Sequence, residues 1–229
     1  MYIPPKFIQM KKTAIVLGAS GITGSILLQK LLNDSDFEKI KLFSRKPTGF
    51  TNSKIEEHIV DLLHLENYKS VFTADVVFCC IGTTKAITPD QTEYRAIDYG
   101  IPVTAAILSK ENNIPTFIVI SALGVSPTSN IFYNRTKGEM EREVLAQKID
   151  NTYILQPSLI DYARKGRIAE QIGVYVMRVL NSFLIGSLQK YRSISPVHIA
   201  ETMLQLTKKN FPLQRIESDK IKLIATHQL

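Results

Sequence analysis

Short apolar runs rich in β-branched and aromatic residues alternate along this chain with longer stretches whose apolar positions recur three and four apart. The short runs fall at residues 13–17, 41–43, 58–60, 76–81, 117–120 and 153–155, with a late one at 221–225, and each reads as a strand. The longer stretches, 24–32, 92–110, 134–147, 168–184 and 197–208, carry the period of a helix with one buried face. Strands that alternate with helices pair in parallel, because each helix returns the chain to the same end of the sheet. The expectation is therefore an α/β protein with a doubly wound parallel sheet, built as one domain. Residues 1–12 read as an N-terminal leader and 13–160 as a dinucleotide-binding core. Residues 161–229 read as a small C-terminal region that completes the same domain.

In such a sheet, ligands sit beyond the carboxyl ends of the strands. The first strand ends there in "GASGITG", where Gly18, Gly21 and Gly24 surround Ser20, Ile22 and Thr23 before a helical pattern begins. Glycines at that spacing let the backbone turn sharply and let a phosphate approach the amides of a helix N-terminus, although a tight turn without a ligand uses the same residues. The second strand is followed by Ser44, Arg45 and Lys46, with no carboxylate to hold a ribose 2′-hydroxyl. A hydroxyl and a guanidinium there favour a 2′-phosphate, hence NADP(H) over NAD; an exposed basic turn is the alternative. Asp61 and Leu62, after the third strand, are placed to reach an adenine edge or, equally, to form a solvated cap. The fourth strand runs into Gly82, Thr83 and Thr84, small residues that leave room for the cofactor's ribose and phosphates.

The fifth strand delivers Ser121 at its carboxyl end, and Tyr133 and Lys137 follow one helical turn apart. A phenol loses its proton near pH 10, so lowering that value to about 7 takes roughly 4 kcal/mol. An ammonium about 4 Å away, at an effective dielectric near 20, supplies roughly that much before desolvation. Ser121 would orient a carbonyl oxygen. An ordinary surface pair on a charged helix is the bland account of Tyr133 and Lys137.

Composition narrows the partners. The 229 residues are 45% hydrophobic and carry a net charge of +7, enough for one substantial core and suited to a phosphorylated small molecule. Basic residues do not cluster with aromatics, so nucleic acid is not expected as a partner. Adjacent Cys79 and Cys80 lie in a core run and read as reduced, buried thiols in a cytoplasmic setting. No apolar run reaches membrane-spanning length. His198 reads as structural, and no metal is assigned.

Ser121, the Tyr133-Asn134-Arg135-Thr136-Lys137 spacing and the three-glycine turn resemble the short-chain dehydrogenase/reductase superfamily. The glycine spacing is similar to its extended and atypical branches. "CCIGTT", "SALGVSPTSNIFYNRTKGEMEREV" and "YILQPSLI" resemble atypical members related to the Tat-interacting tumour-suppressor oxidoreductase. The resemblance implies an NADPH-binding Rossmann core in which Tyr133 exchanges a proton, Lys137 serves the nicotinamide ribose and the tyrosine, and Ser121 meets the substrate. Pro157 falls at the cofactor's edge, within Gln156-Pro157-Ser158, where relatives often carry arginine before the proline. That departure puts closure of the cofactor site by an arginine in doubt.

On the substrate side, Asp161, Tyr162, Arg164, Lys165, Gly166 and Arg167 precede an apolar helix with Ile172, Val176, Leu180, Phe183 and Leu184, a segment that resembles the lid of this superfamily. The helix reads as core or as a homodimer surface. Arg164, Arg167 and Arg192 would bind an acidic group or be solvated. The leading function is an NADPH-dependent oxidoreductase acting on a small carbonyl or alcohol. An NADP-sensing regulatory protein without turnover is the second reading. A nucleotide-sugar epimerase or dehydratase is the third, disfavoured by the short stretch after Pro157.

Overall fold

The computed structural model describes residues 11–161, 184 and 186–228. Its sheet has seven strands in the order β3-β2-β1-β4-β5-β6-β7, and every neighbouring pair runs parallel. The strands are β1 (Lys12–Leu17), β2 (Phe37–Ser44), β3 (Ile55–Ile59), β4 (Val76–Cys79), β5 (Thr116–Ile120), β6 (Asn151–Gln156) and β7 (Arg215–Glu217). The order reverses between β1 and β4, which opens a crevice beyond their carboxyl ends. This is the doubly wound Rossmann arrangement.

Both faces of the sheet are covered, which is why its central strands are almost continuously apolar. On β1, Ala14 and Val16 point into one core while Ile15 and Leu17 point into the other; on β4 the same split separates Val76 and Phe78 from Val77 and Cys79. The first core is closed by α1 (Ile22–Asn33), α5 (Pro196–Gln205) and α6 (Ser218–Ala225), through Leu27, Leu31, Ile199, Met203, Ile221 and Ile224. The second is closed by α3 (Ile101–Glu111), α4 (Phe132–Ala146) and a 3₁₀ segment (Leu62–Tyr68).

Two sequence expectations are corrected. Residues 221–225 are not a strand but the second half of α6, and the last strand lies earlier, at β7. The short apolar run there gave the strand reading. In the fold, Ile221 and Ile224, three apart, are the buried pair, which is helical spacing. The second correction concerns residues 92–110. They are not one uniform helix: α2 (Gln91–Arg95) passes through a π-helical turn at Ala96–Gly100 before α3. Such wide turns are frequent at functional sites. The apolar helix expected at 168–184, with Tyr162, Arg164, Lys165, Gly166 and Arg167 before it, lies outside the described residues apart from Leu184; so do residues 1–10 of the leader.

Candidate active site

The turn after β1 owes its shape to two glycines. Gly18 has φ +84°, and a Cβ there would lie 2.9 Å from the Cys80 carbonyl oxygen on β4's continuation. At Gly24 a Cβ would lie 2.1 Å from the Gly18 carbonyl oxygen, so only glycine lets α1 start this close to the strand. Gly21 is the N-cap of α1 and makes no side-chain cap, and the first turn carries no acidic residue. The first amides of α1 are thus left as donors at the positive end of the helix dipole, which is the local chemistry of a phosphate site.

Those amides open on a cavity of about 750 Å³ in the crevice between β1 and β4. Ser20, Gly21, Ile22 and Thr23 line one wall, and Gly82, Thr83 and Thr84, after β4, line another. Ser121, Tyr133 and Lys137 border the same space, as do Cys80, Ile81, Ile120 and Ile160. Ser121 is held by its backbone amide, which donates to the Leu155 carbonyl at 2.7 Å. Its hydroxyl is buried without a hydrogen-bond partner among the described residues. A buried hydroxyl facing a cavity with no partner is costly in a resting fold and is explained by a group that arrives later.

Tyr133 and Lys137 lie four apart on α4, but the lysine is already engaged. Its Nζ is 2.8 Å from Asp98 Oδ1, and the residues are 4% and 1% exposed. Asp98 sits in the π-helical turn, and its other oxygen accepts from the Thr83 amide at 2.7 Å. One carboxylate therefore ties the loop after β4 to the lysine of α4. Burial raises the Lys137 penalty for carrying charge, yet Asp98 outweighs it and holds the ammonium's pKa above its ordinary value. For Tyr133 the balance is reversed from the sequence argument. Burial pushes its pKa up, Lys137 pulls it down and Asp98 pushes it up again, so the phenol is a weaker acid than usual. The lysine does not bring it toward neutrality because desolvation, the largest influence, outweighs the lysine, and Asp98 offsets part of the lysine's field.

Asp98 is the residue that sequence reasoning missed. A signal was present: Tyr94, Asp98, Ile101, Ala105 and Leu108 fall on one stripe, all buried, and a carboxylate on such a stripe requires a cationic partner.

Other expected cofactor residues lie apart from the cavity lining. Gly18 and Gly24 act behind the turn, through backbone packing. Ser44 donates its hydroxyl to the Lys46 carbonyl at 2.8 Å, so it stabilises its own turn, whereas Arg45 and Lys46 are exposed at the carboxyl end of β2. Asp61 caps the 3₁₀ segment by accepting from the Leu63 amide at 3.0 Å, and Leu62 is buried in the second core. The cap alternative for Asp61 is the one the geometry favours, because its carboxylate already serves Leu63. Pro157 is buried, and its carbonyl accepts from the Leu123 amide at 2.9 Å, bracing the loop that carries Ser121. Gln156 turns to α4, donating to Glu141 Oε1 at 2.8 Å, and Arg215 of β7 supplies the cation at the same carboxylate, also at 2.8 Å. Position 156 is thus committed to a buried link between α4, β6 and β7. Arg192 donates to the Leu184 carbonyl at 2.7 Å and borders a separate polar cavity with Ser218 and Lys222.

Residues 18–209 match a family described as NAD(P)H-binding. The FMP52 protein of Debaryomyces hansenii, named as mitochondrial, is 26% identical over 224 residues, spanning 95% of this chain and 96% of its own. The HTATIP2 protein of Rattus norvegicus is 30% identical over 158 residues, 67% of this chain and 65% of its own. Among solved structures, the Bordetella bronchiseptica enzyme WbmH in complex with NAD+ is similar with a TM-score of 0.65 at 13% identity, covering 90% of this chain and 75% of that one. The expectation of a cytoplasmic setting is overturned by these relatives, since the FMP52 proteins are named as mitochondrial. Cys79 and Cys80 are indeed free, Cys79 fully buried, but a thiol packed as a small hydrophobe reports on its core and not on its compartment.

Proposed function

This chain belongs to the NAD(P)H-binding family, and from that premise we propose that it is an NADPH-dependent oxidoreductase that reduces a carbonyl compound, with Tyr133 as the proton donor. The fold is that of the short-chain dehydrogenase and epimerase proteins, and it supports an oxidoreductase-type enzyme. The observation that carries the reading is the unpartnered hydroxyl of Ser121, buried at the wall of one cavity that also takes in the amide donors of α1 and the Tyr133 phenol.

The residues present fit a dinucleotide. The uncapped start of α1 suits its diphosphate, and Gly82, Thr83 and Thr84 leave room beside it. Arg45 and Lys46, exposed at the end of β2 with no carboxylate paired to them among the described residues, would hold a 2′-phosphate and favour NADPH over NADH. When bound, the reduced nicotinamide supplies a hydride to the carbonyl carbon. Ser121 would donate its hydroxyl to the carbonyl oxygen and fix its position. Tyr133 would give that oxygen its proton, and a phenol with a raised pKa keeps the proton until it is needed. Oxidation would run the same proton transfer in reverse, from the phenolate. Lys137, held by Asp98, stays charged, and its pull on the Tyr133 proton exceeds the opposing push of Asp98.

Tyr133→Phe tests the reading. Turnover of a carbonyl substrate should fall by about 10²–10⁴-fold, with NADPH affinity changed by less than about twofold. Undiminished turnover would overturn the role of the phenol.

A further inference from the structure

A second cavity, of about 540 Å³, adjoins the first and shares Thr83, Thr84 and Tyr133 with it. We propose that this cavity binds the substrate, and that the substrate is a planar, apolar carbonyl compound such as an aromatic aldehyde or ketone. The assignment rests on the oxidoreductase reading above, because it takes the first cavity as the cofactor's place and the shared Tyr133 as the group the carbonyl must reach.

The lining sets the chemistry. Tyr94, Phe132 and Tyr133 stand together with Ile131 and Pro89, and the volume lies within the range of about 300–1,000 Å³ usual for small-molecule sites. Tyr94 is buried, and both Phe132 and Tyr133 meet its ring edge-on, with centroids 5.7 and 6.5 Å away. Such edge-to-face pairs hold an aromatic wall in place before a ligand arrives, so little ordering remains to be done on binding.

Three of the polar side chains nearby are engaged with one another or with the backbone. Thr83 and Thr88 bond to each other through their hydroxyls at 2.8 Å, and the Tyr94 hydroxyl is directed at the Thr83 carbonyl at 3.4 Å. Among the described lining residues Lys85 carries the one charge. A nucleotide sugar would bring a diphosphate and a ring of hydroxyls to a wall with a single cation and three aromatic rings, and would lose hydration without full replacement. A flat molecule with one carbonyl loses little. Its apolar body lies against the aromatic wall, and its oxygen points toward Tyr133, where the two cavities meet.

The test uses calorimetric binding to the full chain saturated with NADP+, so that no reduction occurs, with 2-naphthaldehyde, hexanal and UDP-glucose as probes. The expected result is 2-naphthaldehyde binding at least about tenfold more tightly than hexanal or UDP-glucose. Phe132→Ala, which removes part of the wall, and Gln91→Trp, which fills the space from an exposed position, should each weaken 2-naphthaldehyde by about tenfold while NADP+ affinity holds. Tighter binding of UDP-glucose, or 2-naphthaldehyde affinity unchanged in both variants, would overturn the assignment while the cofactor reading stood. Failure of NADP+ itself to bind would remove the oxidoreductase reading and this one with it.

Discussion

Asp98 and Lys137, 39 residues apart in sequence, form a buried ion pair 2.8 Å long whose two charges act in opposite senses on the Tyr133 phenol. Removing the carboxylate with Asp98→Asn takes away an influence that raises the Tyr133 pKa and leaves the opposing lysine in place. The phenol's pKa must then fall. Carbonyl reduction needs the protonated phenol, so the alkaline limb of the rate profile should move to lower pH in the variant. The uncompensated buried lysine should also cost about 3–5 kcal/mol of stability, read by denaturant unfolding. A limb that stays put or moves upward would contradict this account of the site.

Ser121→Ala separates function from stability. The hydroxyl has no partner among the described residues, so its removal relieves a buried unsatisfied group and should leave the protein as stable or up to about 1–3 kcal/mol more stable. Turnover should nevertheless drop by about 10–100-fold, since the carbonyl oxygen loses a donor. Unfolding curves and steady-state rates on the same preparation check both halves; a destabilised variant would mean that the hydroxyl is structural.

Arg45→Ala probes the cofactor. A charge-assisted bond to a phosphate is worth about 1.5–3 kcal/mol, so NADPH should bind about 10–100-fold more weakly, while NADH binding stays within about twofold. Titration of both reduced cofactors against variant and unaltered protein gives the ratio. Equal affinities in the unaltered protein would remove the 2′-phosphate assignment.

Gly24→Ala tests the architecture under the site. The new methyl would lie 2.1 Å from a backbone oxygen that cannot swing away, so α1 must shift off the strand. Destabilisation above about 3 kcal/mol is expected, with loss of dinucleotide binding even where the protein still folds. Thermal unfolding and cofactor titration report the two effects separately; a well-folded variant that binds normally would show that the turn tolerates a Cβ.

Much of this molecule is local, and the local part was legible in the chain. Ala14 to Leu17 of β1 and Val76 to Cys79 of β4 are apolar at every position because both faces are covered, and the strands they predict pair in parallel as expected. The glycine turn could be read because helix, turn and strand follow one another within a dozen residues. Serine at a strand end and a tyrosine and lysine four apart on a helix are also local patterns, and the fold places all three on one cavity. Residues 221–225 misled because five residues can satisfy a two-residue or a three-residue period, and only the partner surface selects between them.

What the sequence by itself determined is the alternation of elements, the handed winding that follows from it, and a phosphate-compatible turn beyond the first strand. The tertiary structure alone decided that Asp98 meets Lys137, that Gln156 and Arg215 meet Glu141, and that an aromatic wall stands beside the phenol. The physical reason is range. Backbone periodicity and glycine sterics act over a few neighbouring residues and are written in order along the chain. The charge balance that sets a proton's affinity depends on groups that meet only once the sheet has brought distant helices side by side.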